Sequence, residues 1–384
     1  MSVEQLIHTR EFESIIPQET ERKFLPIFPE VFETYRVTSQ PIEQFYLSHP
    51  LEPFSLRFRE QLVDGELTYE ATLKDAGKVG ALGLQRMEVT TPMTSEQYTY
   101  YKSGDTPIIR KLRAEPRPGV TLDFYEDGSL QIESENELEW RIFAAEHQHM
   151  FVETTGDHAS NNEWQAHLSF RRAHNGREAL TPSPDLDPSD IVRDIRANLQ
   201  PDRPITIHIG GRSGSGKSTI VREVQAQLET RGISSCVLST DDYHRGNTWL
   251  SNYNGGEPWT HWDDPVVYDT KAMAADLANL RAGNSIYARE INWSIVEPHF
   301  PGIITPTEVI IIEGIYARSP DITSPDDLNY EMTTPLAACI GRRLLRDLKE
   351  RPQFANPAES LSYMLREAEP AYRAQSTEQR EQIA

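Results

Sequence analysis

The sequence has few cysteines and no long apolar run, and each absence excludes a class of protein. Cys236 and Cys339 are the only cysteines and match no metal-binding spacing, so we expect both to be small buried residues in a reducing compartment. No apolar stretch is long enough to span a bilayer, and the N-terminus lacks the basic, apolar, small-residue pattern of a signal peptide. We therefore expect a cytoplasmic protein with no membrane contact.

Basic residues are also scarce relative to acidic ones. The chain has 38 Lys and Arg against 59 Asp and Glu, for a net charge of −21. Because most of the surface must repel phosphates, we expect no broad nucleic-acid interface, and local basic clusters need a local explanation. The sequence leaves the oligomeric state open, with a homodimer as one option.

The composition is that of a globular protein with more than one domain. Hydrophobic residues make up 38% and charged residues 25% of the 384 positions, and about one domain per 150 residues is typical. The segment TPSPDLDPSD at 181–190 has three prolines and three aspartates and is typical of a stiff linker. We predict a domain at 1–172, a linker at 173–200 and a second domain at 201–384.

Short segments of alternating polarity follow one another in the first half. They are ETERKF, EQFYLS, SLRFRE, TYEATLK, QRMEVT, IIRKLR, VTLDFY and ESENELEW, and Gly, Pro and Asp turns separate them. Eight such segments predict an antiparallel sheet closed into a barrel.

Charged residues of both signs recur on one face of these segments. Side chains two residues apart in a strand point the same way, so Glu19, Glu21 and Lys23 share a face, as do Arg57 and Arg59. One interpretation is an ordinary sheet with a solvated outer face. The other is a phosphate-chain site, since confined cations need a counter-charge and clustered carboxylates need a divalent cation such as Mg²⁺ or Mn²⁺.

The order of these residues resembles the CYTH domains, the triphosphate tunnel metalloenzymes. Glu19, Glu21 and Lys23 are similar to the ExExK motif of that family. Further similarities are RxR at 57–59, TLK ending at Lys74, RxE at 86–88, KxR at 111–113, LD ending at Asp123, ExE at 137–139 followed by Trp140, and ETTGDHASNN from Glu153.

This resemblance implies an eight-stranded tunnel that binds and hydrolyses a triphosphate, inorganic or nucleoside, with a bound metal. The implied metal ligands are Glu19, Glu21, Glu137 and Glu139, with Glu21 catalytic, and the implied phosphate ligands are Lys23, Arg57, Arg59, Lys74, Arg86, Lys111 and Arg113. A slip in the last segment would exchange Glu137 and Glu139 for Glu133 and Glu135.

The second half has apolar strands that alternate with helical segments, as in a parallel α/β domain. The strand ITIHIG precedes GRSGSGKS, which fits the phosphate-binding loop G-x-x-x-x-G-K-[ST], and an amphipathic helix follows. The nucleotide-binding residues are predicted to be Gly211, Arg212, Ser213, Gly214, Ser215, Gly216, Lys217, Ser218 and Thr219. Backbone N–H groups would surround the phosphates, Lys217 would reach the β and γ phosphates, and Ser218 would bind Mg²⁺.

Carboxylates end two further strands. Asp241 and Asp242 follow the strand VLS, and Glu313 ends the uninterrupted β-branched run VIII at 309–312. Ligands of parallel sheets bind at the carboxyl ends of strands, so one of Asp241 and Asp242 could take the proton of an acceptor hydroxyl while the other supports Mg²⁺, with Glu313 within reach of the metal. Acids at these positions are also common helix caps.

These residues resemble the uridine kinase and phosphoribulokinase branch of P-loop kinases. HWDDPVVYD, the arginine-rich RRLLRDLKER at 342–351 and YMLREAEPAYR extend the similarity over residues 204–373. The resemblance implies ATP as substrate and Asp241 as the catalytic base. It also implies Asp241, Tyr243 and Asp263 at the acceptor, and Arg343 and Arg346 on a mobile arm that closes on the phosphates. IYAREINWSIVEP departs from the His-Ser-Arg pattern of uridine kinases, so a pyrimidine acceptor is not implied.

The predicted architecture is therefore a two-domain α+β protein, a tunnel followed by a kinase. We expect a bifunctional phosphate enzyme that hydrolyses a triphosphate and phosphorylates a small hydroxylated acceptor. Two alternatives remain: one domain acts only as a nucleotide or polyphosphate sensor, or the tunnel is an adenylate cyclase.

Overall fold

The structure is a computed structural model that describes residues 16–148, 150–180, 186–350 and 356–375. The described residues fall into two compact units. The first lies within Met1–Pro182, Leu336–Gly341 and Asn356–Ser362, and the second lies within Ser183–Pro335, Arg342–Ala355 and Tyr363–Ala384. Residues 181–185 of the predicted linker and Arg351 of the arginine-rich segment lie outside the described residues.

Ten strands form the sheet of the first unit. They are β1 (Gln18–Pro26), β2 (Gln40–Tyr46), β3 (Phe54–Val63), β4 (Glu66–Asp75), β5 (Lys78–Gly80), β6 (Gly83–Met93), β7 (Ile108–Arg117), β8 (Val120–Tyr125), β9 (Leu130–Ser134) and β10 (Phe151–Glu153). Their order is β10-β1-β9-β8-β7-β2-β3-β4-β6-β5, and β1 also pairs with β6. The β1–β6 pairing closes eight antiparallel strands into the predicted barrel, which is confirmed.

Alternation along the strands divides the side chains between the inside and the outside of the barrel. In β3 and β4, Arg57 lies opposite Thr72 and Arg59 opposite Glu70, and Lys74 of β4 lies opposite Glu88 of β6. Opposed residues share a face. The polar face is directed inward, whereas alternate residues such as Phe58 and Leu73 are fully buried on the other face.

In the described part of this unit, α-helices accompany the barrel at α1 (Ser95–Tyr101), α2 (Glu137–Glu146) and α3 (Asn162–Ala173). Asn136 caps α2, because its side chain accepts hydrogen bonds from the N–H groups of Leu138 and Glu139. The strand predicted for ESENELEW is therefore wrong beyond Ser134. The helix places Trp140 against Phe24, with ring centroids 3.7 Å apart.

The second unit has a parallel sheet with helices, as predicted. Its helices are α4 (Pro188–Asn198), α5 (Lys217–Glu229), α6 (Asn247–Tyr253), α7 (Thr270–Arg281), α8 (Leu336–Glu350) and α9 (Pro357–Tyr363), of which α8 and α9 also contribute residues to the first unit. Its strands are β11 (Ile205–Gly210), β12 (Ser235–Ser239), β13 (Ile286–Tyr287), β14 (Glu290–Asn292), β15 (Glu297–His299), β16 (Ile303–Ile304), β17 (Val309–Gly314) and β18 (Leu328–Glu331).

The order β12-β17-β11-β18 brings the carboxyl ends of β11, β12 and β17 together. Every residue of β11 and β17 is buried, which explains the apolar run Val309–Ile312 in β17 and the isoleucines at alternate positions of β11. Helix α4 packs on this sheet through Ile191, Val192 and Ile195. Residues 188–198, which the predicted linker included, are therefore part of a folded core, because an apolar stripe follows the prolines and aspartates.

Within the described ranges, no helix combines the length and the apolar character that crossing a bilayer requires.

Candidate functional site

The barrel contains a polar cavity. Six cationic residues and five carboxylates line it: Lys23, Arg57, Arg59, Lys74, Arg86 and Arg113, with Glu19, Glu21, Glu88, Glu133 and Glu135. Charges of both signs thus converge inside the barrel rather than on a solvated outer face. A phosphate chain needs such a set of donors.

The cations are crowded more closely than their solvation favours. Burial, together with Arg57 and Arg113, lowers the pKa of Arg59 to about 10. Burial, with Arg86 and Arg57 nearby, also lowers the pKa of Lys74. Each added positive charge raises the electrostatic free energy of the neighbouring cations. A bound polyanion would therefore stabilise the cationic side chains that line the cavity.

Cations that line the same cavity pair with Glu19, Glu21 and Glu133. Glu19 accepts from Lys74 at 2.7 Å and from Arg86 at 3.1 Å, and Glu21 accepts from Arg86 at 2.7 Å. Glu133 lies 2.8 Å from Arg113 and 3.3 Å from Lys23. In the part of the chain that the structure describes, no three Asp, Glu, His or Cys residues are grouped closely enough to hold a metal ion. The oxygen donors nevertheless suit Mg²⁺ or Mn²⁺ chemically.

Glu137 and Glu139 lie outside this cavity, contrary to the prediction. Helix α2 starts at Glu137, which pairs with Arg22 and Arg141, while Glu139 pairs with Arg117. The strand ends at Ser134, so the side-chain alternation that would bring them inside stops before them. Glu133 and Glu135 line the cavity instead, which corresponds to the slipped register left open by the sequence.

Lys111 is buried beside the cavity without lining it. Its ammonium lies 2.5 Å from Asp123, and both side chains are completely buried. Burial and the neighbouring Arg113 lower the pKa of Lys111 to about 7. Arg113 also donates a hydrogen bond to Asp123, at 2.6 Å. The buried Lys111–Asp123 pair therefore helps to position Arg113 in the cavity.

The segment ETTGDHASNN closes one side of the cavity. The backbone oxygen of Ser160 accepts hydrogen bonds from Lys23 and Gln131, and Asn161 and Asn162 line the cavity. Sequence reasoning gave Glu133 and Glu135 only as the alternative register, and it missed Tyr46, Ser55 and the two asparagines as cavity residues. The four-acid run in ESENELEW did identify the face on which Glu133 and Glu135 lie.

The predicted nucleotide loop joins β11 to α5. Gly216 caps α5 with φ of 97°, a left-handed conformation that glycine adopts without strain. Lys217 Nζ donates to the backbone oxygens of Gly211 and Arg212, at 2.9 and 2.8 Å. Ser218 Oγ lies 3.4 Å from both carboxylate oxygens of Glu313. The loop, the lysine and two of the predicted metal ligands thus lie together.

Asp241 lines a pocket that Ser213 of the loop also lines. Burial, then the neighbouring Asp241, Glu290 and Glu313, raise the pKa of Asp242 to about 7. Burial and Asp241 likewise raise the pKa of Glu313. A divalent cation would reduce the electrostatic repulsion between these carboxylates, and their oxygens are suitable ligands for it.

The remaining predicted kinase residues are Asp263, Arg346, Arg343 and Tyr243. Asp263 lines the Asp241 pocket, and Arg346 lies 3.3 Å from Ser213 Oγ. Arg343 forms two hydrogen bonds to Asp263, at 2.9 and 2.8 Å, instead of extending along the phosphate loop. Tyr243 donates to Asp276 and does not line the pocket.

Arg212, within the loop, binds Glu369 and packs over Tyr372. Sequence reasoning missed His244, Trp262 and Trp293 as pocket residues. A tryptophan in place of the expected His-Ser-Arg run was the one signal for Trp293.

Residues 206–372 match the model of the phosphoribulokinase / uridine kinase family. A uridine kinase from Ureaplasma parvum is 31% identical over 155 residues, which are 38% of this chain and 71% of the relative. The chain belongs to the phosphoribulokinase / uridine kinase family. A uridine kinase from Clostridium perfringens is 32% identical over 153 residues, 39% of this chain and 71% of the relative.

Two solved structures were also similar to parts of the chain. One, described as a possible uridine kinase from Bacillus stearothermophilus, is 18% identical with a TM-score of 0.34 and covers 48% of this chain and 94% of its own. The other, described as an inorganic triphosphatase, is 21% identical with a TM-score of 0.23 and covers 38% of this chain and 93% of its own.

Membership of the phosphoribulokinase / uridine kinase family supports a P-loop kinase that transfers a phosphoryl group from ATP to a hydroxyl acceptor. The family match lies in the C-terminal part of the chain, so the charged barrel stands outside it.

Proposed function

We propose that the protein is a bifunctional phosphate enzyme. Its kinase site phosphorylates a small hydroxylated acceptor with ATP, and its tunnel hydrolyses a triphosphate, either tripolyphosphate or a nucleoside triphosphate. Asp241 and Ser213 support the kinase assignment, because the predicted base and a residue of the phosphate loop line the same pocket. The tunnel assignment is carried by the cavity that six cations and five carboxylates line.

In the kinase reaction, Asp241 takes the proton of the acceptor hydroxyl as its oxygen bonds to the γ-phosphorus. The bond from that phosphorus to the β–γ bridging oxygen breaks, and ADP leaves. Lys217 neutralises charge on the phosphates, and Arg346 is placed to add a second cation beside Ser213. Ser218, Asp242 and Glu313 would hold Mg²⁺, which supplies charge neutralisation when bound.

In the tunnel, water attacks the terminal phosphorus of a triphosphate. The water oxygen bonds to phosphorus, the bridging P–O bond breaks, and the chain leaves with two phosphates while orthophosphate is released. Lys23, Arg57, Arg59, Lys74, Arg86 and Arg113 would hold the chain in line. Glu19, Glu21, Glu133 and Glu135 would offer oxygen ligands to a Mg²⁺ or Mn²⁺ ion that enters with the triphosphate, because the described acids are not grouped closely enough to hold the ion by themselves. Glu21 would also orient the water and accept its proton.

Two variants of the full chain test the assignments separately. Lys217→Ala should reduce acceptor-dependent ADP formation by at least about 100-fold and leave phosphate release from tripolyphosphate unchanged. Glu21→Gln should do the reverse, by a loss of at least about 10-fold. Lys271→Ala, on the exposed face of α7, is the matched charge control.

Each alternative predicts a different outcome. If phosphate release survives Glu21→Gln but disappears in Lys217→Ala, the hydrolase assignment is wrong. Binding of tripolyphosphate without phosphate release would identify the tunnel as a sensor. Pyrophosphate with a cyclic nucleotide as products would identify a cyclase.

A further inference from the structure

A buried glutamate lies directly behind one side of the tunnel cavity. Glu163 is in the first turn of α3, after Asn161 and Asn162, which line the cavity. It is only 3% exposed and is not itself among the lining residues. The hydrolysis proposed for the tunnel does not use it. A carboxyl group at this position can act on the cavity only through a neighbouring side chain.

Two serine hydroxyls interact with the carboxyl group of Glu163. Ser48 Oγ donates a hydrogen bond to Glu163 Oε1 and accepts one from the backbone N–H of Leu56, at 3.0 Å. The hydroxyl of Ser55 interacts with the same carboxyl group. Ser55 lies opposite Lys74 in the β3–β4 pair and lines the cavity, whereas Ser48 does not line it. Ser55 therefore connects the buried acid to the cavity.

The environment of Glu163 favours its protonated form. Burial raises the pKa of Glu163 to about 7, although the two serine hydroxyls and the positive charge of Arg86 act in the opposite direction. A carboxyl group with this pKa is partly protonated at neutral pH and can donate a proton to a neighbouring hydroxyl. The position of Glu163 behind Ser55 directs that proton towards the cavity.

The acids that line the cavity are less suited to supply a proton. At Glu88 and Glu133, burial acts to raise the pKa, but the neighbouring cations outweigh it and lower the pKa of both carboxyl groups. Burial and Glu19 raise the pKa of Glu135. Glu135 is a proposed metal ligand, however, and a bound cation would favour its ionised form. Glu163 has no such role and can keep its proton when the metal-bound triphosphate enters.

Other titratable and charged groups face Glu163 from the elements packed around it. Burial raises the pKa of Tyr46 and lowers that of His167, so both side chains are neutral near pH 7. The full set is Arg86 of β6, Tyr46 of β2, Lys74 of β4 across from Ser55, His167 one turn further along α3, and His49 beside His167. A variant of Glu163 itself is therefore needed to separate its titration from theirs.

We infer that Glu163 is a positioning residue of the tunnel that supplies a proton, through the hydroxyl of Ser55, to the diphosphate that leaves during hydrolysis. This inference rests on the proposed triphosphate hydrolysis and adds a proton donor to it. A diphosphate leaves more readily when it is protonated, because the protonated form carries one negative charge less.

The transfer conserves atoms and charge. As the bridging P–O bond breaks, its electron pair passes to the oxygen of the leaving diphosphate. That oxygen takes the hydroxyl proton of Ser55, while Ser55 Oγ takes the proton of the Glu163 carboxyl group. Ser55 is thus unchanged, and Glu163 is left ionised. After the products leave, Glu21 releases to the solvent the proton that it took from water, and a proton from the solvent returns to Glu163 through Ser55.

The pH dependence of tripolyphosphate hydrolysis by the full chain tests the inference. With Mg²⁺ present, kcat/KM of the unaltered chain should fall as pH rises through an apparent pKa of about 7, because the protonated form of Glu163 is the active one. Glu163→Gln should lower kcat/KM by at least about 10-fold at pH 6 and by less than about two-fold at pH 9. A purely structural role predicts the same loss at both pH values, and that result would overturn the inference.

Three serine variants test the route of the proton. Ser55→Ala should remove the decline of kcat/KM with pH, and Ser55→Thr, which keeps a hydroxyl, should retain it. Ser48→Ala is the matched control, because it removes the other hydroxyl without interrupting the path to the cavity. Since the Ser48 hydroxyl lowers the pKa of Glu163, its removal should move the decline to higher pH. A decline that survives in Ser55→Ala contradicts the inference, whether or not Glu163→Gln folds.

Failure of the inference and failure of the hydrolase assignment give different results. If the unaltered chain releases phosphate from tripolyphosphate and the decline persists in both Glu163→Gln and Ser55→Ala, only the inference falls. If the unaltered chain releases no phosphate with either Mg²⁺ or Mn²⁺, the hydrolase assignment falls, and the inference falls with it.

Discussion

Gly314 ends β17 directly after Glu313, and no other residue fits this position. Its φ is +140°, and a Cβ there would lie well inside van der Waals contact of the Thr240 side chain. Thr240 immediately precedes Asp241, so the close approach of the two strand ends sets the spacing between Glu313 and the base. Both the positive φ and the close approach of the Thr240 side chain therefore require glycine at this position.

We expect Gly314→Ala to lower the free energy of unfolding by roughly 3 kcal/mol, because backbone strain and a steric clash add. Urea unfolding measures the loss. Gly232→Ala separates the two causes: its φ is +72° and a Cβ would meet nothing within 4 Å, so about 1 kcal/mol is expected. Equal losses in the two variants would contradict the clash.

The raised pKa of Asp242 predicts how the stability of the folded protein depends on pH. Burial, with Asp241, Glu290 and Glu313, raises its pKa to about 7 in the folded protein, above the value of 3.8 expected without these effects. A raised pKa means that the protonated group favours folding at low pH and that this contribution disappears as pH rises from about 4 through 7. Ionised Asp242 therefore opposes folding at pH 8.

Asp242→Asn should raise the midpoint of thermal unfolding at pH 8 relative to the unaltered chain, and the gain should shrink towards pH 5. Measurements without nucleotide or divalent cation isolate the effect of the carboxylate. A gain of the same size at pH 5 and pH 8 would show that the carboxylate does not titrate in this range.

At the scale of elements, the boundary between β9 and α2 decides which acids enter the tunnel. Asn136 ends the strand by capping the helix, so Glu133 stays on the inward face while Glu137 and Glu139 follow helical geometry on the outside. The cap residue Asn136 thus determines which carboxylates line the cavity.

Glu133→Gln should reduce phosphate release from tripolyphosphate by at least about 10-fold, because it removes a carboxylate that faces Lys23 and Arg113 inside the cavity. Glu139→Gln should leave release within about two-fold, because only a half-exposed pair with Arg117 is lost. Initial rates at saturating Mn²⁺ or Mg²⁺ provide the comparison. The opposite pattern would restore the register first predicted for this segment.

At the scale of the whole molecule, the charge of the tunnel contrasts with that of the chain. The net charge is −21, yet six cations converge on one cavity. Cations placed inside a barrel are shielded from the acidic exterior by low-dielectric walls, so a local phosphate site is compatible with an acidic protein. The phosphate loop belongs to the other compact unit, within Ser183–Pro335.

Because the two sites belong to different units, tripolyphosphate should raise the unfolding midpoint of Lys217→Ala as much as that of the unaltered chain. At about 100 times its Kd, a ligand adds roughly 2.7 kcal/mol to the stability of the species that binds it. Thermal unfolding with and without tripolyphosphate measures the shift. A shift that Lys217→Ala abolishes would place the tripolyphosphate site at the phosphate loop.

The sequence by itself determined the two architectures, the phosphate loop and the charged face of the barrel. These follow from local regularities: alternation of period two, apolar runs, and a loop motif between a strand and a helix. Local patterns persist in the folded chain because the backbone imposes them residue by residue.

Only the tertiary structure decided which charges meet. It placed Glu133 inside and Glu139 outside, bound Arg343 to Asp263, folded residues 188–198 into the kinase core and brought Trp262 and Trp293 together. These outcomes depend on where strands end and on contacts between residues far apart in sequence, for which alternation and motif spacing contain no information.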